Sequence, residues 1–139
     1  MQILEFPQGT RTARDAASAV GTTVTQIVKS LVFLADGRPV LVLGSGANRV
    51  DETKLAAAAG ATRVEKADAG VVRDVTGFAI GGVPPVGHLR RLPVYIDRDL
   101  MTFDVVYASA GTPNTVFPIA PRLLERLTAA AVVDLREDV

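Results

Sequence analysis

Apolar and polar positions alternate through much of this 139-residue chain. The clearest run is Gln26–Ala35, where Ile27-Val28-Lys29-Ser30-Leu31-Val32-Phe33 predicts a strand with apolar residues on both faces. Period-two geometry puts Ile27, Lys29, Leu31 and Phe33 on one face, and Val28, Ser30 and Val32 on the other. Asp36-Gly37 is a turn signal and Pro39–Leu43 reads as a second strand, so the pair predicts a hairpin. Further strands are expected at Gln2–Phe6 (closed by Pro7 and Gly9), Thr62–Glu65, Pro93–Asp97, Asp104–Ser109, Thr115–Ile119 and Val132–Leu135, the last followed by a charged tail. Helical spacing also occurs. Ala13, Ala16, Ala17 and Val20 form a stripe that starts after a capping Thr12, carries Asp15 at its third position and stops at Gly21. Asp51 caps a helix through Ala59 that Gly60 ends. Asp68 opens another to Val75, and Pro121 suits the first turn of a helix to Ala130. Gly44–Val50 and Gly81–Gly87 read as loops, and Gly111–Asn114 as a turn. Strands outnumber helices and mix hairpins with helical crossovers, which predicts a mixed α+β (α/β) domain.

No repeat, low-complexity stretch or linker interrupts the chain, so one domain over 1–139 is expected. The composition, 48% hydrophobic and 22% charged, belongs to a globular chain and not to a disordered one. The absence of cysteine excludes disulfides and thiolate metal sites. Fifteen basic residues balance fifteen acidic ones. Zero net charge argues against a broad grip on phosphates, but leaves room for a protein that holds only the end of a nucleic acid. Met1-Gln2-Ile3-Leu4-Glu5 has no basic region before a long apolar run, and no apolar stretch approaches the roughly 20 residues of a membrane span. A soluble cytoplasmic protein without a membrane partner is expected.

Lys29 is the residue that best points to chemistry. A lysine among apolar neighbours on a central strand is costly unless it reaches water or a partner. It fits a pocket floor, offering a cation to a carbonyl, ribose or phosphate. It also fits a strand edge or a snorkelling side chain, and the strand pattern alone favours that second reading. Gly81-Gly82-Val83-Pro84-Pro85-Val86-Gly87-His88 combines glycines that let backbone approach a ligand with prolines that stiffen the loop. Such a loop with free N–H groups suits a carbonyl or oxyanion, though a tight connection would look similar. Ser109-Ala110-Gly111-Thr112-Pro113-Asn114 offers hydroxyls and amides at a strand end, where a hairpin turn is the simpler account.

Other combinations carry less. Ser109, His88 and Asp97 can be written as a triad, but no nucleophile elbow supports it, and the single histidine reads as a loop residue that packs or hydrogen-bonds. Zinc is not expected without further histidine or cysteine ligands. Gly44-Ser45-Gly46 fails the dinucleotide fingerprint because Arg49 stands where its third glycine belongs. Asp97 and Asp99 flank Arg98 and are expected to end a strand and open a turn. Arg90-Arg91 could meet phosphates or simply lie on a solvated surface.

Taken in order, these pieces resemble the YbaK/ProX family. The stretch Thr12–Gly21 with Gln26–Phe33 resembles that family's opening helix and lysine strand. Arg49-Val50-Asp51 with Leu55 and Gly60-Ala61 resembles the next helix. Gly81–His88 with Leu92-Pro93 resembles the glycine–proline loop, and Ser109-Ala110-Gly111 the late strand end. The likeness runs from Thr12 to Leu127. It implies a barrel-like, largely antiparallel β structure flanked by helices, related to the editing domain of bacterial prolyl-tRNA synthetases. It also implies a trans-editing hydrolase that removes alanine, cysteine or a similar small amino acid from mischarged tRNA, tRNA-Pro being the expected substrate. By the resemblance, Lys29 and Gly81 are catalytic, and Thr12, Ser30, Gly82, Val83, Pro84, Pro85, His88, Ser109 and Gly111 contact substrate.

No cofactor is expected. The expected partners are the acceptor end of aminoacyl-tRNA and a synthetase or elongation factor. Many family members have an extra helix and strand before the position of Leu4, so a reduced pocket wall, or one supplied by a partner subunit, is expected. The sequence offers no obvious general base. A ribose hydroxyl or the α-amine of the substrate would then activate water, since Lys29 as base would need a strongly lowered pKa. The alternatives are a non-catalytic module on the same fold, binding tRNA ends, nucleotides or protein, and a structural or regulatory domain with no open pocket at Lys29.

Overall fold

A computed structural model describes residues 3–6, 12–112 and 114–138. Gln2, Pro7 and Gly9 of the first expected strand, and Pro113 of the late turn, lie outside these residues. Eight strands are described: β1 Leu4–Glu5, β2 Val28–Ala35, β3 Arg38–Ser45, β4 Val64–Lys66, β5 Val94–Asp97, β6 Val106–Ser109, β7 Thr115–Ile119 and β8 Ala131–Val133. Four helices accompany them: α1 Ala13–Val20, α2 Glu52–Ala59, α3 Ala69–Thr76 and α4 Pro121–Thr128. The strands form a five-stranded sheet, β4-β2-β3-β5-β8, and a three-stranded sheet, β1-β7-β6. Pairing is antiparallel except for β3–β5 and β5–β8, which are parallel. An isolated bridge from Ile27 to Tyr107 joins the two sheets at the start of β2. This is the mixed α+β, largely antiparallel architecture that the strand pattern and the family likeness predict.

The β2–β3 hairpin is the centre, and its alternation explains the layering. Val28 and Val32 of β2 and Leu41 and Leu43 of β3 enter a core shared with α3, α4 and the small sheet. Leu31, Phe33 and Ala35, with Val40 and Val42, face the other way against Leu55 of α2 and Leu135. Phe33, Leu41, Val42, Leu43 and Leu55 are fully buried. Each such side chain stabilises the fold by about 1.5–3 kcal/mol before entropy is counted. A third, smaller cluster packs Ala16 and Ala17 of α1 over Ile27 and Val116.

The caps follow the local sequence. Thr12, Asp51 and Asp68 each accept a hydrogen bond from the main chain three residues on, at 3.0, 3.0 and 2.9 Å. Gly21 and Gly60 end α1 and α2 in the left-handed region, with φ of 72° and 65°. Asp36 and Gly37 both take positive φ, 49° and 80°, as the hairpin turn requires. The Asp36 carboxylate also accepts from the amides of Thr62 and Arg63, which hold it below the usual carboxylate range and tie the hairpin tip to β4.

Several boundaries differ from the sequence expectation. Gln26 lies in a 3-10 turn, Val24–Gln26, because its side chain turns back to accept from the Thr22 hydroxyl and to donate to the Val105 carbonyl. Gly44 and Ser45 continue β3, since both pair with the start of β2. The final strand is Ala131–Val133, and Leu135 is buried beyond it.

Candidate functional site

The start of β2 meets α1 and the glycine–proline loop around a cavity of about 100 Å³. Of the residues singled out in the sequence, Thr12, Lys29, Ser30, Gly81, Val83 and Ser109 line it. Gly82, Pro84 and Pro85 are buried behind the loop surface and do not line it. The amide of Gly82 is already committed to Ala79 O at 2.9 Å. Proline has no N–H, so the donors left to this stretch are the amides of Gly81 and Val83, which have no partner among the described residues. Gly81 has φ of 88°, which accounts for glycine there.

His88 stands apart from the cavity. Its Nε2 is 2.6 Å from Pro84 O, and its ring meets Phe78 edge-on with centroids 6.5 Å apart. It clamps the loop, in keeping with a histidine that hydrogen-bonds and packs. Gly111 also lies outside the cavity wall; its amide donates to Ser109 Oγ at 3.2 Å, and a Cβ there would lie 3.2 Å from Phe78 Cε1. The Ser109–His88–Asp97 triad is not assembled, because each member has other partners. Asp97 accepts from Ser45 N, Asn48 Nδ2 and Asp99 N at 3.4, 2.8 and 2.9 Å.

That buried carboxylate does organise the surroundings of Lys29. Asn48 Nδ2 donates to Asp97 and, at 2.9 Å, to Asp99. The Asn48 main-chain carbonyl in turn accepts from Lys29 Nζ at 2.5 Å. Burial pushes the Lys29 ammonium below its usual value; the nearby charges of Lys66 and Arg49 act in the same sense, and Asp97 opposes them. Ser30 Oγ is buried and has no hydrogen-bond partner among the described residues. A buried hydroxyl without a partner beside a cavity is a candidate ligand contact.

A second cavity, of about 210 Å³, opens on the other side of Lys29 and is bordered by Arg49, Lys66, Phe33, Glu52 and Glu137. Lys29 is therefore shared by a smaller hollow and a larger, more charged one. The pairing of Asn48 with Asp97 escaped the sequence reading because the contact with Lys29 is made by a main-chain carbonyl, which leaves no residue-type signature. The aspartate ending β5 was the only available hint. No cluster of three or more metal-ligating side chains occurs among the described residues, and no helix among them is long and apolar enough to cross a membrane.

A family model described as "Aminoacyl-tRNA editing domain" matches residues 7–127. The class is that of editing hydrolases that act on aminoacyl-tRNA. The chain belongs to the aminoacyl-tRNA editing domain family. A crystal structure of "a putative trans-editing enzyme for prolyl tRNA synthetase" superposes with a TM-score of 0.93 at 48% identity, covering 99% of this chain and 87% of the other. The proline–tRNA ligase of Citrifermentans bemidjiense is 38% identical over 107 residues, which is 77% of this chain and 19% of the ligase. The "Putative Cys-tRNA(Pro)/Cys-tRNA(Cys) deacylase EbsC" of Enterococcus faecalis is 28% identical over 117 residues, 84% of this chain and 71% of that one. The chain thus spans about a fifth of the ligase and most of the free-standing proteins.

Proposed function

We propose that this protein deacylates tRNA-Pro carrying a small wrong amino acid, acting in trans, with the ester carbonyl placed between Lys29 and the Gly81 loop. The observation that carries the reading is Lys29 on the wall of a small cavity also lined by Gly81 and Val83, whose amides have no partner among the described residues. Hydrolysis of an ester needs stabilisation of charge that develops on the carbonyl oxygen, and fixed donors in a partly dry hollow supply it. Lys29 orients the ester or the adjacent phosphate by charge. Its ammonium is anchored on Asn48 O, so it is held in place without a counter-carboxylate in direct contact. The Ser30 hydroxyl and the Thr12 and Ser109 side chains supply polar contacts to the aminoacyl group. The residues around the cavity offer no general base, so the attacking water is activated by the substrate's own ribose hydroxyl or α-amine. A cavity of about 100 Å³ favours a small side chain. A synthetase or elongation factor that delivers the tRNA suits the zero net charge.

The test is a deacylation panel with tRNA-Pro and tRNA-Ala charged with alanine, cysteine, serine or proline. Wild type is expected to release one small wrong amino acid from tRNA-Pro, and Lys29→Ala to lose about 100–1,000-fold in rate while still folded, the usual loss on removing one such stabilising group. Full activity in folded Lys29→Ala sinks the assignment. Tight tRNA binding with no release by wild type would favour a non-catalytic module.

A further inference from the structure

A cavity of about 340 Å³ lies at the far end of the hairpin from Lys29, and its rim carries Arg38, Arg90 and Arg91. Its floor is apolar, from Ala35, Val40 and Leu92, with Tyr95 at the side, and no acidic residue lines it. None of the ion pairs among the described residues uses these three arginines. Asp36, whose carboxylate senses Arg38, spends its oxygens on the amides of Thr62 and Arg63. In a chain whose net charge is zero, three cations at one hollow, none of them in an ion pair among the described residues, are a local excess.

The main chain that carries Arg90 and Arg91 is also fixed. Arg90 N donates to Val75 O at 3.0 Å and Leu89 N to Thr76 O at 3.1 Å, while Pro93 O accepts from Leu41 N at 2.8 Å. Leu92, between them, is buried. The Arg90-Arg91 pair is therefore presented from a segment fixed on both sides. Alternation along β2 puts Lys29 and Ala35 on the same face of the sheet, and α2 lies across that face with Glu52 bordering the second, charged cavity beside Lys29 and Ala59 bordering the arginine hollow. Six residues of strand separate the two sites, about 20 Å at the usual rise per residue.

We propose that the Arg38–Arg90–Arg91 hollow is a second RNA contact, taking backbone phosphates several nucleotides away from the ester held at Lys29. The inference rests on the reading of Lys29 as the ester site. Guanidinium forks match phosphate oxygens, and phosphate contacts fix register without reading sequence. A free phosphate or mononucleotide offers the same chemistry. RNA is favoured because the cations stand on the rim, on two separate segments, where they can meet successive phosphates of a strand and do not enclose one compact anion.

The test uses uncharged tRNA-Pro as probe. Arg90→Ala/Arg91→Ala is expected to weaken binding about tenfold at low salt and to reduce the slope of log affinity against log salt by about two. Arg63→Ala, which removes an exposed arginine outside the hollow, is expected to leave the slope nearly unchanged. Millimolar AMP or inorganic phosphate should not displace the tRNA. Unchanged affinity and slope in the double variant, or displacement by either small anion with loss of that effect in the variant, overturns the proposal. Turnover of a short aminoacylated 3′-terminal oligonucleotide should be equal in wild type and the double variant. Loss of that turnover would make these residues part of the ester site and overturn the proposal too. An inactive wild type whose tRNA affinity still depends on Arg90 and Arg91 would leave the hollow standing and remove the ester reading instead.

Discussion

At the scale of single residues the decisive question is what Lys29 does with its proton. Burial, then the charge of Lys66, with a further contribution from Arg49, lowers its pKa from the usual 10.5, and Asp97 pulls the other way. If Lys29 works as a fixed cation, deacylation must fall as pH rises through that lowered value. If it worked as a base, activity would rise through the same value. We predict the first: an alkaline limb in kcat/KM below 10.5, after subtraction of spontaneous ester hydrolysis. Lys66→Ala removes a like charge and should move the limb upward, whereas Asp97→Asn removes the opposing charge and should move it downward. A limb that ignores both changes belongs to another group. The candidate lysine was legible in the sequence because a charge interrupts an apolar alternation. Its anchor was not, because any residue at position 48 has a carbonyl; only the fold shows that Asp97 holds this one in place through the Asn48 side chain.

At the scale of elements, Gly46 shows how packing makes demands that local rules miss. In Gly44-Ser45-Gly46 the glycines suggested a nucleotide loop and failed that pattern. The reason for glycine at 46 is tertiary. A Cβ there would lie 2.6 Å from Val24 O and 2.7 Å from Ala13 Cβ, while the Gly46 amide donates to Ile27 O at 2.7 Å. The turn before β2, the first residue of α1 and the end of β3 converge on this point. Gly46→Ala should cost about 1–3 kcal/mol in urea unfolding, the range for overpacking. Because α1 supplies Thr12, Ala13 and Ala16 to the cavity, the folded fraction should also show a raised KM. A variant as stable as wild type would mean that the backbone accommodates the methyl freely. Helix stops such as Gly21 and Gly60 were readable in advance, since a left-handed cap depends only on its own helix. Gly46 depends on neighbours 22 and 33 residues away in sequence, at Val24 and Ala13.

At the scale of the whole molecule, Leu135, expected as the last residue of the final strand, lies beyond it, and the charged residues that follow are structural. Leu135 is 1% exposed and packs with Leu55 and Phe33. Its carbonyl accepts from Asp51 N at 2.7 Å, and Glu137 N donates to Arg49 O at 2.9 Å. Lys54 reaches Asp134 and Asp138 at 3.1 and 3.3 Å, and Arg136 reaches Asp99 at 3.4 Å. The tail thus braces the amino end of α2 and the segment beside Lys29. The apolar run placed Leu135 in a strand, but a hydropathy pattern cannot show that the charged residues after it are tied to Arg49 and Lys54. Magnitudes decide which contact holds the tail. Exposed ion pairs contribute little and are screened by salt, whereas truncating a buried leucine costs about 2–5 kcal/mol. The hydrogen bond from Lys54 raises its pKa and lowers that of Asp134. The contribution of Lys54 is therefore complete below 10.5 and lost as pH rises through its raised value. That of Asp134 is complete above 3.8 and lost as pH falls through its lowered value. Between those limits pH should leave the tail alone. Leu135→Ala should lower unfolding stability by about 2–5 kcal/mol at any salt concentration. Lys54→Met should have a much smaller effect, one that vanishes in concentrated salt. A larger loss for Lys54→Met than for Leu135→Ala would place the hold on the tail in its charges instead of its one buried side chain.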